Sequence, residues 1–246
     1  TYIATIEAVL LAGALPVFAE IDDTLCMSAE GIRTVLSPKT KAILLVHMCG
    51  AAADLDGIIA ICKEKNIQLI EDSAQALGAS YKGKMLGTFG LMGSFSYDFF
   101  KINTCGEGGI VITDDHELWD TAQQFADHVH EHIGNNRGME QHPILGTSFR
   151  IGEINAAIGL AQTRKLGYIL NKQRQHKATI QARLGRIEGL QFRRHTDEAG
   201  DSATFFHLLM PNEEQARACV KLLGEAGIGV GYWYDNMFHY IKQWDH

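Results

Sequence analysis

Short apolar runs alternate with helical stripes along the first half of the chain, and this alternation most restricts the folds open to it. Residues 15–21, 41–46, 67–70, 93–97 and 109–113 have the length and apolar content of strands. Between them, DLDGIIAICKEK (residues 54–65) carries apolar positions at helical spacing, and residues 115–125 open on acidic side chains and carry a similar stripe. Strands separated by helices predict an α/β fold with a mainly parallel sheet. Ligands of such sheets bind beyond the carboxyl ends of the strands.

A polar helical pattern continues from residue 151 towards Gly185, and short strands and helices resume at residues 190–193. That change predicts a boundary near residue 165, with a large domain over residues 1–165 and a smaller α+β domain over residues 166–246. No low-complexity tract or fixed-period repeat interrupts the chain.

With 246 residues and 46% hydrophobic content, the chain can bury a sizeable core. No apolar run approaches the roughly 20 residues needed to span a bilayer, and the start shows neither the basic region nor the apolar stretch of a signal peptide. A net charge of -7, without a dense basic run, offers no general attraction to nucleic acid. Cys26, Cys49, Cys62, Cys105 and Cys219 are odd in number and widely spread. That usage points to a reducing cytoplasm rather than to a disulfide framework or a zinc knuckle.

The chemistry concentrates in two segments. In SFSYDFFKINTCGEGG (residues 94–109), Lys101 stands between the Ser96 hydroxyl and a glycine turn, and an amine so placed can hold an aldehyde as a Schiff base. In QLIEDSAQ (residues 68–75), Asp72 leaves an apolar run, where a carboxylate can anchor a protonated ring nitrogen. Lysine, acid and hydroxyl together suggest pyridoxal 5'-phosphate.

Each assignment has a plainer alternative. Asp72 can instead cap a following helix, Lys101 can be an ordinary surface lysine, and the Ser96 hydroxyl can bond backbone at a strand end. Cys105 reads as a small packed side chain. Gly106, Gly108 and Gly109 suit a tight turn in which backbone approaches closely. His128, His130 and His132 fall at alternate positions, which raises metal binding, yet no carboxylate or cysteine set completes a site, and a solvated loop is the commoner reading.

These residues, in this order, resemble the DegT/DnrJ/EryC1/StrS family of sugar aminotransferases, which are fold-type I pyridoxal phosphate enzymes. The likeness runs from TYIAT (residues 1–5) through GALPVFAEID (13–22), VHMCG (46–50), EDSAQ (71–75) and the lysine segment to FRIGEINAA (149–157). It implies that Lys101 carries the cofactor, Asp72 meets its ring nitrogen and Ser96 binds its phosphate. Tyr2 would lie against the ring, although an aromatic there can equally be core, and Gln75 would sit beside it.

The resemblance further implies an amino-acid donor, L-glutamate, a keto or aldehyde sugar acceptor, and a homodimer with shared active sites. GTSFR (residues 146–150) would cross between subunits. Ser148 stands where many relatives have an asparagine that reaches the neighbouring subunit's phosphate. An upstream Ser-Gly-Thr segment that contacts phosphate in relatives has no counterpart here, so both ends read as truncated relative to the family. Sugar dehydratases of the family carry histidine in place of the lysine, and Lys101 argues against their chemistry.

Within the family, HMCG (residues 47–50), DHVHEHIG (127–134), GDSA (200–203) and YWY (232–234) look most like the members that make 8-amino-3,8-dideoxyoctulosonate. The expected acceptor is therefore an oxidised 3-deoxy-octulosonate, destined for lipopolysaccharide or another surface polysaccharide. A nucleotide-linked keto sugar is the alternative acceptor, and a non-catalytic cofactor-binding relative is the alternative to an enzyme.

Overall fold

In the computed structural model, which describes residues 2–131 and 144–235, helices α1 (Ile3–Leu11) and α2 (Ala29–Val35) precede strand β1 (Ala42–Val46). Helix α3 (Leu55–Lys65) leads into β2 (Gln68–Asp72). A small hairpin, β3 (Ser80–Tyr81) and β4 (Lys84–Met85), comes before β5 (Met92–Ser96), β6 (Gly109–Ile112) and α4 (His116–Ala126). Beyond these lie α5 (Glu153–Thr163), α6 (Leu166–Leu184), β7 (Gln191–Phe192), β8 (Leu208–Leu209) and α7 (Glu213–Glu225).

The main sheet has the order β1-β2-β5-β6, with β1, β2 and β5 parallel and β6 antiparallel to β5. The mainly parallel sheet is thus present. Val46 lies opposite Asp72, and Asp72 opposite Ser94, so β1, β2 and β5 end along one edge. Whatever follows these strands emerges side by side there.

Helix α3 shows how the sequence builds this layer. Asp54 caps it by accepting the Gly57 N–H at 3.1 Å, and Asn66 ends it in the left-handed region. Its stripe of Leu55, Ile58 and Ile61 is fully buried with Leu45 of β1 in one core cluster. Each such side chain contributes about 1.5–3 kcal/mol on leaving water. Asp115 caps α4 in the same way, accepting the Leu118 N–H at 3.0 Å.

Residues 15–21 do not form the strand that their apolar content predicts. Among the described residues their strand-like pairing is limited to one isolated bridge, Ile21 to Met27, and Leu15, Val17 and Phe18 are exposed. A segment whose N–H and C=O groups find no ladder gains nothing from being a strand.

The Arg164–Lys165 joint separates α5 from α6. Residues beyond it reach back into the earlier part. Leu170 of α6 is buried at Gly78, where a Cβ would stand 2.4 Å from the leucine Cδ1, and Gly78 has the positive φ that glycine tolerates. Arg193, also buried, donates from Nε to Thr24 O at 2.6 Å and from a terminal nitrogen to Met48 O at 2.7 Å. A guanidinium satisfied by carbonyls ties the end of β7 to the turn that follows β1.

Candidate active site

The carboxyl edge of the sheet assembles four of the expected residues. A small cleft is lined by Ala74, Gln75 and Leu77 from the loop after β2, Ser96 from the end of β5, and Lys101, Ile102 and Asn103. Gln75, Ser96 and Lys101 therefore share one wall. Asp72, at the last position of β2, borders this region without lining the cleft itself.

Asp72 is held from two sides. Its Oδ1 accepts the Ala74 N–H at 3.0 Å and its Oδ2 accepts the Thr5 hydroxyl at 2.7 Å. The Ala74 bond closes a local turn, and no helix begins there, so the helix-cap alternative is not what the structure contains. Thr5 comes from the first turn of α1, which lays that helix over the end of β2. Tyr2 is the N-cap of the same helix, with its carbonyl accepting the Thr5 N–H at 3.2 Å, and its side chain is exposed rather than core.

Lys101 is presented by a loop that folds on itself. Asp98 O accepts the Lys101 N–H at 2.9 Å, and Asp98 Oδ1 accepts the Phe100 N–H at 3.1 Å. Tyr97 O then receives the Cys105 N–H at 2.9 Å. Gly106 sits at φ +87°, and a Cβ on Gly108 would come within 2.6 Å of Cys105 Sγ, so the glycine turn needs its small residues. Cys105 is buried and packed, as expected.

Ser96 bonds backbone near the end of β5 and also lines the cleft. Its hydroxyl accepts the Asp98 N–H at 3.3 Å, which leaves its own proton to give. Gln75 Oε1 accepts the Cys49 N–H at 2.7 Å and braces the turn after β1.

Ser148 stands apart from these residues. It is exposed, and Asp127 bridges it in the segment where Thr147 and Phe149 bond the end of α4. Within this chain it does not line the cleft. Of the three histidines, His128 and His130 lie nearby with ring centroids 6.4 Å apart, and His132 lies outside the described residues. Among the described residues, no cluster of three metal-ligating side chains forms.

Sequence reasoning missed a buried pair directly behind the edge. His47 Nε2 lies 2.9 Å from Glu71 Oε1, and both side chains are fully buried. Glu71 also accepts the N–H groups of Gly87, Phe89 and Gly90 at 2.8, 2.6 and 2.6 Å. Burial pushes the Glu71 carboxyl up, but His47 and the backbone donors outweigh it and hold the group below its ordinary value. The available signal was the strand period. Leu69 and Glu71 fall on one face of β2, so an acid at a core position required a partner.

Of the motifs that pointed to an octulosonate acceptor, HMCG and GDSA turn inward, while residues 132–134 of DHVHEHIG lie outside the described residues. His47 belongs to the Glu71 pair, and Cys49 is buried, its thiol pushed up to about 12 first by desolvation. Asp201 pairs with Lys177, while the Ser202 N–H bonds Gly50 O at 3.0 Å. Tyr232 lies under the Arg217 guanidinium, 4.4 Å from ring centroid to Cζ. These contacts tie the segments to one another. A second cleft, lined by Lys177, Arg193, His195, His207 and phenylalanines, is likewise committed to these internal contacts.

Comparisons with known proteins agree with this architecture. The chain is similar to GDP-perosamine synthase of Escherichia coli O157:H7, with 38% identity over 179 residues, which are 71% of this chain and 47% of that protein. It thus spans about half the length of that relative. The Helicobacter pylori aminotransferase PseC, involved in the biosynthesis of pseudoaminic acid, superposes with a TM-score of 0.86 at 25% identity, covering 100% of this chain and 67% of that one.

An aminotransferase from Psychrobacter cryohalolentis gives a TM-score of 0.80 at 30% identity, over 92% of this chain and 63% of that one. The E. coli GDP-4-keto-6-deoxy-D-mannose-3-dehydratase, solved with bound hydrated PLP, gives 0.81 at 26%, over 93% and 62%. The fold is that of the fold-type I pyridoxal phosphate enzymes. The model of the DegT/DnrJ/EryC1/StrS aminotransferase family matches residues 1–246, and the chain belongs to that family.

Proposed function

We propose that this protein is a pyridoxal 5'-phosphate-dependent aminotransferase that moves an amino group from L-glutamate to a keto sugar carried on a nucleotide. The observation that carries the reading is the cleft at the carboxyl edge of the sheet, where Lys101, Ser96 and Gln75 meet next to Asp72. The donor set fits the cofactor. The Lys101 amine makes no hydrogen bond or ion pair among the described residues, Ser96 keeps a free O–H, and Asp72 is oriented by Thr5 and the Ala74 N–H.

When bound, the cofactor supplies an aldehyde for an amine and a protonated ring that draws electrons from the donor's α-carbon. Lys101 would hold the aldehyde and, once released by the donor's amine, would take the proton from the α-carbon. Asp72 keeps the ring nitrogen protonated by its charge. Ser96 would donate to the phosphate, and Gln75 and the Tyr2 aromatic would flank the ring.

Nucleotide-linked acceptors replace the octulosonate as the favoured substrate class, because relatives are named for GDP- and TDP-sugars. A relative trapped with a PLP-glutamate adduct supports glutamate as donor. Lys101 favours amino transfer over the dehydration named for some neighbours.

A homodimer is part of the proposal. On α5 and the segment before it, Phe149, Ile151, Ile154, Ile158 and Leu160 are exposed, an apolar surface of the kind that partners cover. Ser148 adjoins Phe149 and would reach the phosphate of the neighbouring subunit.

The test uses the full-length, cofactor-loaded protein. L-Glutamate alone should release about one equivalent of 2-oxoglutarate per site, since only the first half-reaction can run. A GDP-linked keto sugar should then receive the amine. Release of no oxo acid from any amino acid contradicts the aminotransferase reading, and transfer to an oxidised octulosonate but to no nucleotide sugar contradicts the substrate class.

A further inference from the structure

Asn103 lines the Lys101 cleft with its side chain fully buried. Its Nδ2 donates to Thr163 Oγ1 at 2.9 Å, and that hydroxyl donates onward to Gly159 O at 2.8 Å. Because the hydroxyl proton is committed to Gly159, Thr163 can only accept from Asn103, and this decides which end of the amide points to α5. Oδ1 is thereby left as a buried acceptor without a hydrogen-bond partner.

Folded proteins satisfy nearly all buried acceptors, so one left open on a cleft wall marks a place that a donor comes to occupy. Lys101, two positions earlier, lines the same cleft, and its amine has no partner among the described residues. The other polar side chains of the cleft are already engaged as acceptors, Gln75 Oε1 by the Cys49 N–H and Ser96 Oγ by the Asp98 N–H.

We propose that Asn103 is a positioning residue for Lys101, its Oδ1 accepting a hydrogen from the lysine whenever that amine is not joined to the cofactor. Lys101 becomes an ammonium when it takes the proton from the donor's α-carbon, and it gives the same proton up at the next transfer. An acceptor fixed from α5 favours the charged form and keeps the amine over the cleft between the two transfers. The purpose of the contact rests on the aminotransferase reading, whereas the contact itself does not.

The test is amine labelling of the cofactor-free, full-length protein with trinitrobenzenesulfonate across pH. Lys101 is quantified by peptide mass, with the remaining lysines as internal controls. In Asn103→Leu, the Lys101 profile should move to lower pH, raising its labelling at fixed pH about three- to tenfold. Thr163→Val, which frees the amide to turn, should move it the same way by less. The double variant should match Asn103→Leu alone, because both act through one bond.

An unmoved profile in folded Asn103→Leu overturns the proposal. So does a higher plateau at an unmoved midpoint, which would mean altered access alone, and so does an additive double variant. If Asn103→Leu does not fold, Thr163→Val decides by itself, and an unmoved profile there is equally fatal. The labelling needs neither cofactor nor substrate, so its failure is distinguishable from a failure to release 2-oxoglutarate.

Discussion

Asp72 reaches the end of β2 with each carboxylate oxygen already engaged, one by the Ala74 N–H and the other by Thr5. Both contacts survive if the charge is removed but the acceptor oxygen is kept on the Ala74 side, because the Thr5 hydroxyl can accept from an amide as well as donate, so shape and charge can be separated here. Asp72→Asn should therefore lower kcat by about a hundredfold or more, since charge that stabilises the reacting ring is lost, while the thermal midpoint moves little. Equal losses of stability and turnover, measured together, would assign Asp72 to the fold instead. That Lys101, Ser96 and Gln75 gather beside Asp72 was legible because their motifs are local and follow strand ends. Asn103 was not, because its orientation depends on Thr163, which lies 60 residues further along the chain.

At the scale of elements, the His47–Glu71 pair joins the ends of β1 and β2 to the loop of residues 87–90 through one carboxylate. Removing one partner strands the other in the interior, so Glu71→Ala should cost about 3–5 kcal/mol in urea unfolding. The pH dependence follows from the depressed Glu71 value. A carboxyl held below its ordinary value contributes fully above the carboxylate range and loses that contribution as pH falls through its folded value. The gap between wild type and Glu71→Ala should thus narrow in acid. A gap that stays constant from neutral pH down through the carboxylate range would show that the lost methylenes, not the charge, account for the cost. Strands β1, β2, β5 and β6 and helices α3 and α4 were readable because periodicity and caps are properties of the segment itself. Residues 15–21 misled because a strand also needs a neighbour, which a single segment does not encode.

For the whole molecule, a parallel sheet gathers loops that are far apart in sequence onto one edge, where the cleft beside Lys101 opens. Chain order alone predicts this edge, but it does not say which motifs face it. HMCG and GDSA mark a likeness to one group of family members in the sequence and serve as internal ties in the structure. Everything assigned to that edge converges on one amine. The full-length protein, loaded with pyridoxal phosphate, should be reduced with borohydride, digested and mapped by mass. A single pyridoxyl phosphate per chain, carried on Lys101, is the predicted result; attachment to any other lysine, or no attachment at all, would contradict it.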